Sequence, residues 1–304
     1  MSRSTHDRGD SWIDDHGWHH HIDRVGDVEL HYVTAGDPDD QPVVLLHGFP
    51  ECWWAWRRHV DALAEAFYVI VPDMRGYNRS EKPFEVRKYR LETLAGDVEA
   101  LIEHEGYESA HVVGHDWGGV VAFGTALYHP TALDDLVVLN APYPGAFDDQ
   151  LTVKQLFRSW YAGFFQVPSV PERLLAANDF ALLERLFRED PVVSGAYTDE
   201  DIEVYKSAWR QDGALRAMID YYRAFGRENA RKLRGERWRA GRRVRAETLV
   251  LWGENDRALG PHVPNVIQRE VENTTVEHYP EASHWIHAEF PTRTADDIVG
   301  FLTA

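Results

Sequence analysis

The sequence predicts an α/β fold: a mostly parallel, doubly wound sheet with an inserted helical cap. Three observations carry that reading. Short apolar runs rich in Val, Ile and Leu recur with helical segments between them, as strands buried on both faces require. The alternation breaks near Tyr143 and resumes near Val244, with only helical patterns in between. A glycine-flanked turn, Gly114-His115-Asp116-Trp117-Gly118, joins a strand-like run to a helix-like run.

Taken in order, "DVELHYVTAG" (27–36) alternates and reads as an outer antiparallel strand. The buried runs are "PVVLLHG" (42–48), "YVIVPD" (68–73), "AHVVGHD" (110–116), "DLVVLNAP" (135–142) and "ETLVLWGEND" (247–256), with "TTVEHYP" (274–280) as the last strand. Residues 53–66, 90–106 and 118–130 place apolar side chains at three- and four-residue steps and read as helices. The last two stop at Gly106 and before Pro130. Four further helical patterns fill the interruption. The expected division is a core of residues 1–142 and 245–304 and a cap of residues 143–244.

With 304 residues, 44% hydrophobic and 12% aromatic, the chain can bury a sizeable core. Its single cysteine, Cys52, excludes an internal disulfide framework and a cysteine-based metal cluster and reads as packing. The first residues hold no apolar run, so neither a secretory signal nor a membrane span is expected, and a cytoplasmic location is. The net charge of −18 repels nucleic acid and anionic lipid, so neither is an expected partner. Only five of the 32 basic residues are lysine. Salt adaptation and an ordinary acidic cytosolic protein both fit that surface. "HGWHHHID" (16–23) lies in a polar arm before the first expected strand and reads as surface histidines rather than a metal site. The basic stretch 231–245 reads as a solvated return loop.

The turn at Gly114–Gly118 has the spacing of a G-x-S-x-G nucleophile elbow, with Asp116 in the serine's place. An elbow exposes one side chain at a helix N-terminus, where the backbone favours negative charge. A carboxylate there can attack saturated carbon directly and leaves an alkyl ester, which only an activated water removes. Asp256, closing "LVLWGEND", and His284, in "EASHWIH", follow in the expected order of nucleophile, acid and histidine. The acid would orient the imidazole, and the imidazole would activate the water. A single Asp after a strand is ordinarily a turn or cap residue; it is the set, at strand ends, that points to chemistry.

The segments "HGFPE" (47–51), "PDMRGYNRSEKP" (72–83), "GHDWGG" (114–119), "LNAPYPGAF" (139–147), "LWGEND" (251–256) and "ASHW" (282–285) resemble those of α/β-hydrolase-fold epoxide hydrolases, from about Trp18 to the end of the chain. The resemblance implies Asp116 as nucleophile, His284 as base and Asp256 as its partner. It also implies an oxyanion hole from the backbone N–H groups of Phe49 and Trp117, and a cis Phe49–Pro50 peptide. Two cap motifs, "SWYAGFFQVP" and "DYYRA", imply Tyr161 and Tyr222 as donors to the epoxide oxygen, with Tyr221 the local competitor. A phenol donates at neutral pH without burying a charge. Where the family carries a glycine after "RGY", this chain has Asn78, which tolerates a left-handed backbone. His47, Pro50, Trp160 and Trp285 complete the candidates for the substrate pocket, with His47 and His115 read as braces for loops rather than bases. No metal or cofactor is implied, and the expected partner is a small epoxide.

Two rivals remain. Haloalkane and haloacid dehalogenases use the same aspartate elbow, and Trp160 is a possible second halide donor. However, Phe49 stands where an asparagine donor is common, and Trp117 and Val120 stand where carboxylate-binding arginines would be. A non-catalytic hydrolase-fold binding protein is the alternative of another class.

Overall fold

The computed structural model describes residues 17–150, 152–232 and 243–304. Eight strands form one sheet: β1 (His19–Val25), β2 (Val28–Ala35), β3 (Pro42–Leu46), β4 (Tyr68–Pro72), β5 (Ala110–His115), β6 (Leu133–Leu139), β7 (Thr248–Gly253) and β8 (Thr274–Tyr279). Their spatial order is β1-β2-β4-β3-β5-β6-β7-β8. β1 and β2 run antiparallel, and every pair from β4 to β8 is parallel. β3, β5 and β7 are buried along their whole length, which is why they read as unbroken apolar runs.

The helices, in chain order, are α1 (Val60–Leu63), α2 (Leu91–His104), α3 (Trp117–Tyr128), α4 (Phe147–Gln150), α5 (Val153–Arg158), α6 (Trp160–Phe164), α7 (Val170–Glu189), α8 (Asp199–Trp209), α9 (Ala214–Lys232), α10 (Val263–Glu270), α11 (Ile286–Glu289) and α12 (Pro291–Leu302). α4 to α9 make up the insertion between β6 and β7. α8 starts on a capping box, Thr198 with Asp201. α7 is broken by the left-handed residues Asn178, Asp179 and Phe180. Two indoles pin the insertion to the sheet side: Trp209 Nε1 donates to the Pro50 carbonyl at 2.6 Å, and Trp54 Nε1 donates to Asp201 at 2.9 Å.

Two expectations need correction. Residues 53–66 are not one helix but a 3₁₀ turn (Trp53–Trp56) followed by the single turn α1. All four residues of that 3₁₀ turn are buried, so the segment has no solvent face and packs as a plug rather than an amphipathic helix. The histidine-rich arm is itself the edge strand, β1, so β2 is not outermost. Its ring contacts explain why a polar segment pairs: His20 meets His31 at 3.0 Å, and His21 meets Thr34 at 2.9 Å. Within the expected arm only His19 is exposed among the described histidines. Most of the basic stretch 231–245 and the first sixteen residues lie outside the described residues. No described helix is long and apolar enough to cross a membrane.

The parallel register does the positioning. Gly114 pairs with Leu46 and Val138, and Leu139 pairs with His115 and Leu251. The C-terminal ends of β3, β5, β6 and β7 therefore reach one edge together. The residues just beyond them are Phe49, Asp116, Asn140 and Asp256.

Candidate active site

Asp116 sits between β5 and α3 with φ 50° and ψ −118°, a backbone state that side chains rarely adopt. The neighbours make room for it. A Cβ on Gly118 would lie 2.2 Å from the Leu46 carbonyl, and one on Gly48 would lie 2.5 Å from the Asp116 Cβ. The Asp116 carboxylate is presented at the N-terminus of α3, and its Oδ1 accepts a hydrogen bond from the Phe49 N–H at 2.8 Å. Phe49–Pro50 is cis, and Asn78 takes up φ 37°, both as expected.

His284 is buried and lies between two carboxylates. Its Nδ1 is 2.7 Å from Asp256 Oδ2, and its Nε2 is 3.6 Å from Asp116 Oδ2. Burial alone would lower its pKa. The charge and hydrogen bond of Asp256, with Asp116 and Asp190 behind them, outweigh burial and lift it to about 10. Asp256 is fully determined by its partners. Its Oδ1 accepts from the Ala258 and Leu259 N–H groups at 2.7 and 2.8 Å, and its Oδ2 accepts from Asn140 Nδ2 at 2.8 Å. Burial would raise its pKa, but His284 and these donors hold it below the usual carboxylate value.

Behind His284 lies a second buried layer. His115 Nε2 faces the His284 carbonyl at 2.9 Å, and His115 Nδ1 faces Glu51 Oε2 at 3.0 Å. His287 Nε2 meets the other Glu51 oxygen at 2.9 Å. Glu51 is wholly buried, which would raise its pKa, yet these two histidines hold it well below the carboxylate range. His115 thus braces the loop that carries His284, as the sequence suggested.

In front of Asp116 opens a cavity of about 720 Å³, part of it continuous with solvent. Tyr161, from α6, and Tyr222, from α9, both line it. Their rings stand edge to face, 5.9 Å apart. Burial, then the charge of Asp116, pushes both phenols above their ordinary range, so each keeps its proton. Tyr221 points elsewhere: its hydroxyl donates to the Arg75 carbonyl at 2.7 Å, and its ring packs on Tyr77 and Tyr89. The remaining wall is mostly apolar, with Trp117, Val120, Phe225 and Leu259.

The four other pocket candidates do not line this cavity. Trp160 is 66% exposed, because α6 turns Tyr161 inward and its neighbour outward. His47 braces a loop, accepting from Met74 N–H at 3.1 Å and bonding the Gly48 carbonyl at 3.0 Å. Pro50 is held by Trp209. Trp285 donates to Asp190 at 2.9 Å and stacks edge-on against His284 from behind.

Sequence reasoning missed three supports. Asn140 follows β6 with φ 40° and joins Asp256 to Gly253; its left-handed backbone, which Asn favours, is the only signal. Gln155 on α5 donates to the Ala258 carbonyl at 2.7 Å and accepts from Gly260 N–H at 2.8 Å. Arg158 Nη1 donates to the carbonyls of Asp256 and Leu259, each at 2.7 Å. Nothing in the sequence singled out those two.

Residues 41–291 match the model of the alpha/beta hydrolase fold family. The AB hydrolase superfamily protein YfhM of Bacillus subtilis is 36% identical over 283 residues, 90% of this chain and 94% of that one. Epoxide hydrolase 1 of Caenorhabditis elegans is 35% identical across 94% of this chain and 70% of its own length. Among solved structures, a point mutant of an epoxide hydrolase from Bacillus megaterium superposes with a TM-score of 0.82. It is 28% identical and covers 93% of this chain and 100% of its own. The chain belongs to the α/β-hydrolase fold family and is a hydrolytic enzyme. Within that family it falls among the epoxide hydrolases.

Proposed function

We propose that this enzyme opens epoxides to vicinal diols in two steps. The observation that carries the reading is the pairing of one aspartate with two protonated tyrosines around a single apolar cavity. Tyr161 and Tyr222 donate to the epoxide oxygen while Asp116 Oδ2 attacks a ring carbon. The carbon–oxygen bond breaks, the alkoxide takes a tyrosine proton, and an alkyl ester forms on Asp116. Water, deprotonated by His284 with Asp256 stabilising the imidazolium, then adds to the ester carbonyl. The Phe49 and Trp117 N–H groups meet the oxyanion, its collapse frees the diol and restores the carboxylate, and the proton taken up by His284 returns to the tyrosinate. Esterification removes the Asp116 charge from beside His284, which lowers the imidazole's pKa as the base is needed. Residues 143–244 act as a cap over a core of 1–142 and 245–304.

Styrene oxide and a haloalkane, supplied separately to the protein, test this. Diol from the epoxide is the expected product. Halide without diol would mean dehalogenation, and neither product would favour a binding role. His284→Gln incubated with styrene oxide should gain the mass of one substrate on Asp116, and a protein of unchanged mass would overturn the two-step scheme.

A further inference from the structure

A surface helix ordinarily turns its apolar stripe towards the core. The strap formed by α5 and α6 keeps a second apolar stripe on the outside. Val153, Leu156, Phe157 and Trp160, at steps of three and four, are 72%, 58%, 77% and 66% exposed. Inward, α5 makes polar contacts through Gln155 and Arg158 to the loop after Asp256, and α6 sets the Tyr161 ring against Phe165 and Tyr222. Among the described residues, every exposed large hydrophobic except Ile22 and Phe84 lies between Val153 and Val192. Helices this short are marginal by themselves, and the apolar anchors beneath this pair, Tyr161 and Phe164, both belong to α6.

We propose that a second copy of this chain covers the stripe, the two straps meeting face to face across a two-fold axis. Charge selects this occupant. The chain carries 50 acidic residues in 304, yet none from Gln150 to Pro171. In a two-fold seam each patch meets itself, so a carboxylate there would face carboxylates. A chain of net charge −18 can approach its own copy closely only where acids are missing. The same charge opposes docking on anionic lipid. Phe157 and Trp160 supply the aromatic anchors that dominate such seams. Because Tyr161 belongs to the same strap, the seam steadies the cavity wall that carries it.

Sedimentation velocity of the full chain, from about 1 to about 100 µM, tests this at the concentrations where a seam this small assembles. The wild type should shift from monomer to dimer across that range. Leu156→Glu with Phe157→Glu should stay monomeric throughout, with an unchanged melting midpoint at about 1 µM, where the wild type is monomeric too, since both side chains are exposed. A wild type that is monomeric at every concentration would overturn the proposal. So would a dimer that survives both substitutions, or a monomer that floats with neutral phosphatidylcholine vesicles.

Discussion

Asp116 and Tyr161 face one cavity and are held by different means. Asp116 stands at the end of a buried strand, in a turn fixed by close backbone contacts, with its partners on the neighbouring strand ends. Tyr161 stands on a five-residue helix, held by ring contacts with Phe165 and Tyr222 and, through the preceding α5, by the side chains of Gln155 and Arg158. The proposed nucleophile is placed by the sheet, and the proposed donor by ring contacts and a few polar ones. Damage to the first should therefore stop turnover, whereas damage to the second should slow one step or loosen the frame.

The largest effect belongs to the sheet side. Asp256→Asn should cut turnover by about 10⁴, as losing the orienting acid of a triad does. The ester should still form, and a rapid-quench experiment should find it accumulating; equal loss of both steps would contradict the division. Next come the donors. Tyr161→Phe and Tyr222→Phe should each slow ester formation by roughly 10²–10³ and leave ester hydrolysis unchanged. Single-turnover kinetics that slowed only hydrolysis would reverse the assignment. Arg158→Met strips two carbonyls of a charged donor and should cost about 2 kcal/mol of stability with about a tenfold loss in kcat. Chemical denaturation beside steady-state kinetics would read both, and an unaltered kcat would detach the strap from the Asp256 loop.

A further expected effect is a pH dependence. The folded His284 pKa, near 10, lies above its ordinary 6.5, so the folded state binds the proton more tightly. That stabilisation is complete below about 6.5, fades as pH rises, and is gone above about 10. The melting midpoint should fall between pH 7 and 10 in the wild type and fall less in His284→Gln. Parallel curves would mean the imidazole gains no stability from its carboxylates.

The same contrast governs what the sequence disclosed. Strands buried on both faces announce themselves as apolar runs, and strand ends are where sites form, so the sequence could nominate Asp116, Asp256 and His284, which the fold brings together. β1 was not, because among its seven residues, HHHIDRV, only Ile22 and Val25 are apolar and they do not alternate. The segment 53–66 misled because its tryptophans suit helix spacing while being buried on every side. In the insertion, adjacent residues part company by rotation alone. Tyr222 enters the cavity while Tyr221 enters the core, and Tyr161 faces in while Trp160 faces out. Motif position separated the first pair and could not separate the second. Asn140, Gln155 and Arg158 act through backbone groups distant in the chain, which no local pattern reports.

The turn at Asp116 has a consequence for how such enzymes change over time. Its unusual backbone is accommodated by Gly48 and Gly118 rather than by the side chain at position 116 itself. That position is therefore an address, independent of its occupant. Any short nucleophilic side chain arriving there would meet the same helix end and the same histidine. Exchanging the reaction asks for one codon, while relocating the nucleophile asks for a new frame; descendants of this fold can diverge in chemistry long before they diverge in shape.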